Sequence, residues 1–261
     1  MFVNSFEQKI SKSYLKNGYL IANINNAILF KKLDNLLKKT ISKYLNKKQN
    51  TINDDFLNFF HKKISKKNLN TIRMNIIEKL LSNKEFKEIY YNISKDYLDL
   101  IVGNELAMQK KINLSIQLPN DKDSLLSIHT DTLSGDSSFE VVVWVPFVDC
   151  YESKSMYILP PKESIKLLKK MSSKSINYSH EQIYNHVKNK IKFINIKKGQ
   201  LLIFNQNLFH GNIINKKNET RWSMNCRFKS IFSPYKHKPL GDFFEPITLK
   251  PASVDGMKYN F

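Results

Sequence analysis

The sequence predicts an α+β protein in which a helical N-terminal part packs against an antiparallel β core. Three observations predict it. Apolar residues recur at helical spacing up to about residue 110, the period then changes to two, and eight short strand-like runs follow with one helical interruption. Strands gathered after helices, instead of alternating with them, argue for a sandwich or barrel and against a parallel βαβ sheet.

Taken in order, Leu29, Leu33, Leu36, Leu37, Ile41 and Leu45 mark one helix, and Ile72, Ile76, Ile77, Leu80 and Leu81 another. Their opposite faces are rich in Lys and read as solvated. In KINLSIQL (111–118), Ile112, Leu114, Ile116 and Leu118 alternate with Asn113, Ser115 and Gln117, the pattern of a half-buried strand. Strand-like runs continue at LLSIHTD (125–131), FEVVVWVPF (139–147), SMYIL (155–159), IKFINI (191–196), QLLIFNQ (200–206), FHGNII (209–214) and RWSMNCRFKSIF (221–232). Residues 162–190 form a Lys- and Ser-rich, weakly helical insert, a surface excursion or a lid. Pro239, Pro246 and Pro251 argue against long elements after Pro234. The expected organisation is one domain over 1–261, with a helical part (1–110), a β core (111–232) and an irregular tail (233–261).

Composition narrows the class. With 41% hydrophobic and 25% charged residues in 261, the chain is neither disordered, collagen-like nor a small disulfide scaffold. Two cysteines, Cys150 and Cys226, lack metal-type spacing and fit a reducing cytoplasm without disulfides. Neither a signal peptide nor an apolar run approaching about eighteen residues is apparent, so no membrane association is expected. The net charge is +19, yet only Arg73, Arg221 and Arg227 among the 42 basic residues are Arg. Such a Lys-dominated charge reads as a solvated surface that concentrates anionic small molecules.

The chemistry begins at His129-Thr130-Asp131. On a strand, residues two apart share a face, so this imidazole and carboxylate can reach one metal ion. Composition alone gives about 0.3 such triplets by chance, so the pair by itself is weak. His210 strengthens it, lying in FHGN between the apolar runs GQLLIF and NII. Two imidazoles and one carboxylate make the facial triad of non-haem Fe(II), which leaves three positions for a 2-oxo acid and O2. Arg221 follows His210 by eleven residues, and a residue so rare falls at a preselected offset about one time in ninety. Alternation in RWSMNCRFK puts Arg221, Ser223, Asn225 and Arg227 on one polar face. Turned inward, that face needs a buried partner, and a dicarboxylate held by two parallel hydrogen bonds to Arg221 and a third from Ser223 would supply one.

This order of residues resembles the Fe(II)/2-oxoglutarate-dependent oxygenases, and within them the phytanoyl-CoA dioxygenase-like group. The resemblance rests on His129-x-Asp131, His210, Arg221 and Ser223, with VVVWVPFVD and GQLLIFNQNLFHGNIINKKNETRW in support, and covers about residues 105–232. GDSSFEVVVWVPFVDC and RWSMNCRF are most similar to bacterial members of carbohydrate-biosynthesis clusters. The resemblance implies a double-stranded β-helix (jelly roll), iron held by His129, Asp131 and His210, and 2-oxoglutarate held by Arg221 and Ser223. It further implies consumption of O2 and oxidation of a sugar or sugar nucleotide. After VPFVDC the chain departs from the broader group with YESKSMYILPPKES, so the substrate does not carry over from better-known members.

Beside these, Gln117 and Asn113 are candidates to hydrogen-bond the co-substrate, Trp144 to wall the substrate pocket or fill the core, and Arg227 to meet an anionic substrate or form a structural ion pair. His61, His180, His186 and His237 read as surface or structural. Two alternatives remain. Arg221 and Arg227 also fit an Arg-x5-Arg pattern resembling alkylated-base repair dioxygenases, although aromatic residues for stacking a flipped base are not evident and nucleic acid is not the expected partner. The non-enzymatic alternative is a jelly-roll binding protein. The sequence sets no oligomeric state.

Overall fold

The computed structural model describes residues 3–173 and 179–259. Asn4 opens α1 (Ser5–Asn17) through a reciprocal capping box with Glu7, and a short strand, β1 (Tyr19–Asn23), follows directly. The helical part continues through α2 (Ala27–Tyr44), α3 (Asp54–Asn58), α4 (Leu69–Leu81), α5 (Lys84–Asn92) and α6 (Lys95–Ile101). The strands β2 (Leu106–Gln109), β3 (Asn113–Gln117), β4 (Val141–Pro146) and β5 (Met156–Ile158) come next. α7 (Pro161–Ser173) and α8 (His180–Val187) interrupt them before β6 (Lys192–Phe193), β7 (Gln200–Asn205), β8 (His210–Asn212) and β9 (Arg221–Ser230). β10 (Phe244–Pro246) and α9 (Pro251–Gly256) close the chain.

The strands form two antiparallel sheets. The seven-stranded sheet runs β1-β7-β4-β9-β2-β10, with β3 also on β9, and the three-stranded sheet runs β6-β5-β8. β9 is the longest strand at ten residues, and pairs Arg221 with Gln117, Ser223 with Ser115 and Asn225 with Asn113 on one side. Its other edge pairs Asn225 with Trp144 and Arg227 with Val142 of β4.

Alternation along β9 sorts its chemistry. Trp222, Met224, Cys226 and Phe228 are fully buried against the helices, each large side chain giving roughly 1.5–3 kcal/mol on burial. Trp222 donates its indole N–H to the Leu57 carbonyl (3.1 Å) and meets Phe60 edge-on at 4.9 Å. Tyr90 of α5 donates to the carbonyls of both Val143 (3.0 Å) and Met224 (3.2 Å), tying helix to sheet. Arg221, Asn225 and Arg227 point the other way, into a cavity shared with Val142 and Trp144 of β4, Phe204 of β7, and Met156, His210 and Asn212 of the small sheet. Tyr157, Leu159 and Phe209 of the small sheet region pack with Leu167 of α7 and Ile183 and Val187 of α8.

Mixed helix and antiparallel sheet is therefore the architecture, with three differences from expectation. The helical segment contains β1 and β2, strands too short to impose a period. LLSIHTD is not a strand: it runs as loop to a single bridge at His129, and Asp131 begins a 3-10 turn (Asp131–Ser134) whose cap is the Thr130 hydroxyl. The tail contributes a three-residue strand that ends on Pro246 and a six-residue helix that begins at Pro251. The insert at 162–190 lies largely within α7 and α8, and its residues 174–178 fall outside the described residues.

Candidate metal centre

A single antiparallel bridge positions the two histidines. His129 N donates to the His210 carbonyl (3.0 Å) and His210 N to the His129 carbonyl (2.9 Å), bringing the imidazoles side by side with centroids 4.4 Å apart and planes tilted by 51°. Two residues on, Asp131 N donates to the Gln206 carbonyl (3.2 Å), fixing the start of the turn. Asp131 Oδ1 thus lies 3.3 Å from His129 Nε2 and 3.9 Å from His210 Nε2. Sequence spacing put His129 and Asp131 on one face of a strand; the structure brings them together through a bridge followed by a turn. Among the described residues no other group of three His, Cys, Asp or Glu side chains converges in this way, these ligand atoms lying within 4.8 Å of one another.

Both rings are held in one tautomer. His129 Nδ1 sits 2.7 Å from the Ser127 carbonyl and His210 Nδ1 2.9 Å from the Leu208 carbonyl. A carbonyl only accepts, so each Nδ1 carries a proton, and each ring in its neutral form presents an Nε2 lone pair toward Asp131. Lone pairs converging on a carboxylate oxygen need a cation or a proton between them, and this donor set suits a divalent transition metal. Burial pushes His210 down to about 4, which keeps it neutral. Burial also lowers His129, but its contacts with Asp131 and the Ser127 carbonyl outweigh burial and raise it. Burial opposes ionisation of Asp131 as well, yet His129, His210 and Arg227 together hold its carboxyl well below the usual range.

Arg227 supports this carboxylate from behind. Its Nη2 lies 3.1 Å from Asp131 Oδ2, its Nε donates to Gln206 Oε1 (3.2 Å) and approaches Asp136 at 3.5 Å, and its Nη1 donates to Gln109 Oε1 (3.3 Å). Lys238 holds both oxygens of Asp136 at 2.7 Å. Gln206 in turn donates to Glu140 (3.0 Å), whose other oxygen accepts from Ser137 N (2.9 Å). Of the two roles open to Arg227, the structure shows an ion pair with the candidate ligand Asp131, and Arg227 also lines the cavity.

A second polar cluster sits on β3 and β9. Arg221 is 4% exposed, donates from Nη2 to Ser115 Oγ (3.1 Å), and has no carboxylate partner among the described residues. Its Nε, the Ser223 hydroxyl and Gln117 Oε1 are buried without any hydrogen-bond partner. An uncompensated guanidinium inside a protein is costly, so this arrangement fits a bound anion such as a carboxylate. Gln117 donates its amide to the Ile213 carbonyl (2.8 Å), while Asn113 is exposed and donates to Asn225 Oδ1 (3.1 Å) at the cavity wall.

Trp144, 4% exposed, lines the same cavity of about 740 Å³, a size that accommodates a small co-substrate and a further ligand. His61 bonds Thr220 (3.1 Å) and His237 packs over Gly135, both apart from the centre. Sequence reasoning missed Asp136, Glu140, Gln206 and Lys238, whose role depends on contacts across long separations. It also missed Arg73, which the scarcity of Arg could have flagged, since all three arginines line this cavity.

No family model and no curated protein matches the chain. Solved structures do. The chain is similar to EctD from S. alaskensis with bound Fe, at 11% identity and a TM-score of 0.57, over 89% of this chain and 79% of that one. It is similar to HygX from Streptomyces hygroscopicus with nickel and 2-oxoglutarate bound, at 11% identity and a TM-score of 0.51, over 89% of each. SnoK, a non-heme alpha ketoglutarate dependent carbocyclase from nogalamycin biosynthesis, matches at 12% identity with a TM-score of 0.56, over 95% of this chain and 97% of that one. At such identities the likeness is one of fold. No helix among the described residues is long and apolar enough to cross a membrane.

Proposed function

We propose that this chain is an Fe(II)- and 2-oxoglutarate-dependent oxygenase on a jelly-roll core, acting on a sugar or sugar-nucleotide intermediate. The observation that carries the reading is the pairing of two Nε2 lone pairs and one carboxylate with a buried, carboxylate-free guanidinium in the same cavity. Fold likeness to proteins with bound Fe, or with nickel and 2-oxoglutarate, supports the cofactor pair. The sugar assignment draws on the resemblance of residues 105–232 and on the basic charge.

In this reading His129, Asp131 and His210 hold the metal from one side, and Arg221 with Ser223 holds the distal carboxylate of 2-oxoglutarate. Iron held there would, with 2-oxoglutarate and O2, supply oxidation of an unactivated C–H bond, one oxygen atom going to the substrate and the other to succinate formed with CO2 from 2-oxoglutarate. The chain supplies aim and dryness. Gln206 and Arg227 orient Asp131, Phe204 packs edge-on against His210 at 4.9 Å, and Trp144 walls the substrate space. Hydroxylation is the outcome we propose, while SnoK shows that a chain of this fold also serves ring closure. Succinate release in the presence of Fe(II), O2 and a sugar-nucleotide panel tests it: native protein should turn over with at least one member, and Asp131→Ala with none. Turnover by Asp131→Ala equal to native protein would contradict the assignment.

A further inference from the structure

Every arginine of a chain otherwise basic through Lys lines this one cavity. Arg227 is committed to Asp131 and Arg221 to the anion cradle, which leaves Arg73. It stands on α4, where its Nη1 donates to the Leu114 carbonyl (3.3 Å) and its Nη2 to Asn70 Oδ1 (2.7 Å). Both partners are neutral, and among the described residues no Asp or Glu pairs with it. Leu114 and Ser115 are adjacent, so Arg73 and Arg221 touch consecutive residues of β3. Neither guanidinium has a carboxylate partner among the described residues, so each is suited to its own anion.

The wall around Arg73 adds to the charge. Lys66 and Lys67 line the cavity beside it, and Lys66 Nζ reaches the Asn120 carbonyl (3.3 Å) on the facing loop. That loop carries two acids, Asp121 and Asp123. Asp121 is occupied within its own turn, accepting from Asp123 N (3.0 Å) and from the Ser124 hydroxyl. Both acids line the cavity and offset two of the three cations, which leaves one net positive charge and Arg73 without a carboxylate partner among the described residues. A carboxylate offers only the two oxygens that the guanidinium fork takes up; a phosphate monoester offers a third for a lysine ammonium.

We propose that this end of the cavity is a phosphate site, in which Arg73, with Lys66 and Lys67, holds a phosphate or diphosphate ester of the primary substrate. The inference rests on the oxygenase reading only for the identity of the occupant as substrate. The anion site itself stands on Arg73 and its neighbours.

The test is calorimetric titration of the metal-free full chain with inorganic pyrophosphate, uridine diphosphate, glucose 1-phosphate and uridine. The phosphorylated probes should bind and uridine should not, and the pattern among the first three separates a nucleotide from a sugar phosphate as the source. Arg73→Gln keeps a donor for the Leu114 carbonyl and should weaken the phosphorylated probes about tenfold or more. Arg221→Gln should change them by less than about threefold, its partner being the other anion. If Arg73→Gln melts below native protein, the exposed pair Lys66→Ala and Lys67→Ala carries the test and should weaken the probes by about threefold or more. Absent binding to native protein, unchanged affinity in Arg73→Gln, or loss only in Arg221→Gln would each overturn the proposal. Fe(II) and 2-oxoglutarate binding, read on the same variants, reports separately on the oxygenase reading: its failure with an Arg73-dependent phosphate site leaves this inference standing.

Discussion

Gly211 follows a candidate metal ligand, and a methyl group there would press on the segment that carries another. A Cβ at this position would lie 2.7 Å from the Leu126 carbonyl oxygen, 2.7 Å from the Tyr157 hydroxyl and 3.1 Å from Tyr157 Cζ. Ordinary contact begins near 3.4 Å, so a retreat of about 0.7 Å is required. Tyr157 is fully buried, its ring packed against Tyr184 and Phe193, and yields little. Leu126 is tied as well, because its carbonyl accepts from Asn212 N (3.0 Å) and its own N–H donates to Asn212 Oδ1 (2.6 Å). The displacement therefore passes along the loop to His129, three residues on. Gly211→Ala should cost about 1–3 kcal/mol through overpacking, or about 2–4 °C in melting temperature per kcal/mol for a chain of this size. A metal site tolerates only about 0.5 Å of misplacement, so Fe(II) affinity should fall about tenfold or more. Thermal melting with and without Fe(II), together with an anaerobic Fe(II) titration, measures both. A variant that melts with native protein and binds Fe(II) as tightly would refute the reasoning.

Two further outcomes follow from the surroundings of the site. Arg227→Gln removes the guanidinium behind Asp131 and should lower Fe(II) affinity about 10–100-fold, whereas native Fe(II) affinity in this variant would return Arg227 to the role of a substrate contact. Lys229 is fully buried, donating to the carbonyls of Ser233 (3.1 Å) and Pro234 (2.7 Å), and burial pushes its pKa down to about 8. Because the folded pKa lies below the unfolded one, the folded state binds this proton less tightly, so the penalty is complete below about pH 8 and fades as pH rises toward about 10.4. Native protein should gain on the order of 1–3 kcal/mol across that window in denaturant melts, relative to Lys229→Met; parallel pH curves for the two would refute it.

Much of the centre was legible in the sequence because its chemistry uses rare residues at fixed offsets. His210 and Arg221 stood out by scarcity and spacing, and the alternation of RWSMNCRFK already divided an apolar side from a polar one. The path of the chain between these points was not legible. Leu126 and Ile128 alternate as a strand would, but Asn212 and His210 pair this segment only locally, and the Thr130 cap turns it at Asp131. β1 escaped notice because it depends on a partner nearly two hundred residues away, Tyr19 opposing Phe204. For the same reason the sequence leaves Arg227 between a substrate contact and a structural ion pair: its carboxylate is distant in sequence, and only folding sets the two 3.1 Å apart.

The central claim is that His129, Asp131 and His210 bind Fe(II) next to an Arg221 cradle that holds 2-oxoglutarate. Its most direct test is an anaerobic titration of metal-free protein with Fe(II) and then 2-oxoglutarate, following the weak visible metal-to-ligand charge-transfer absorption, with Asp131→Ala and Arg221→Ala beside native protein. The account predicts the band in native protein, its absence in Asp131→Ala, and a weakening of 2-oxoglutarate in Arg221→Ala by about tenfold or more with Fe(II) binding retained. A folded native protein that binds Fe(II) but develops no band, or an equal band in all three proteins, would contradict it.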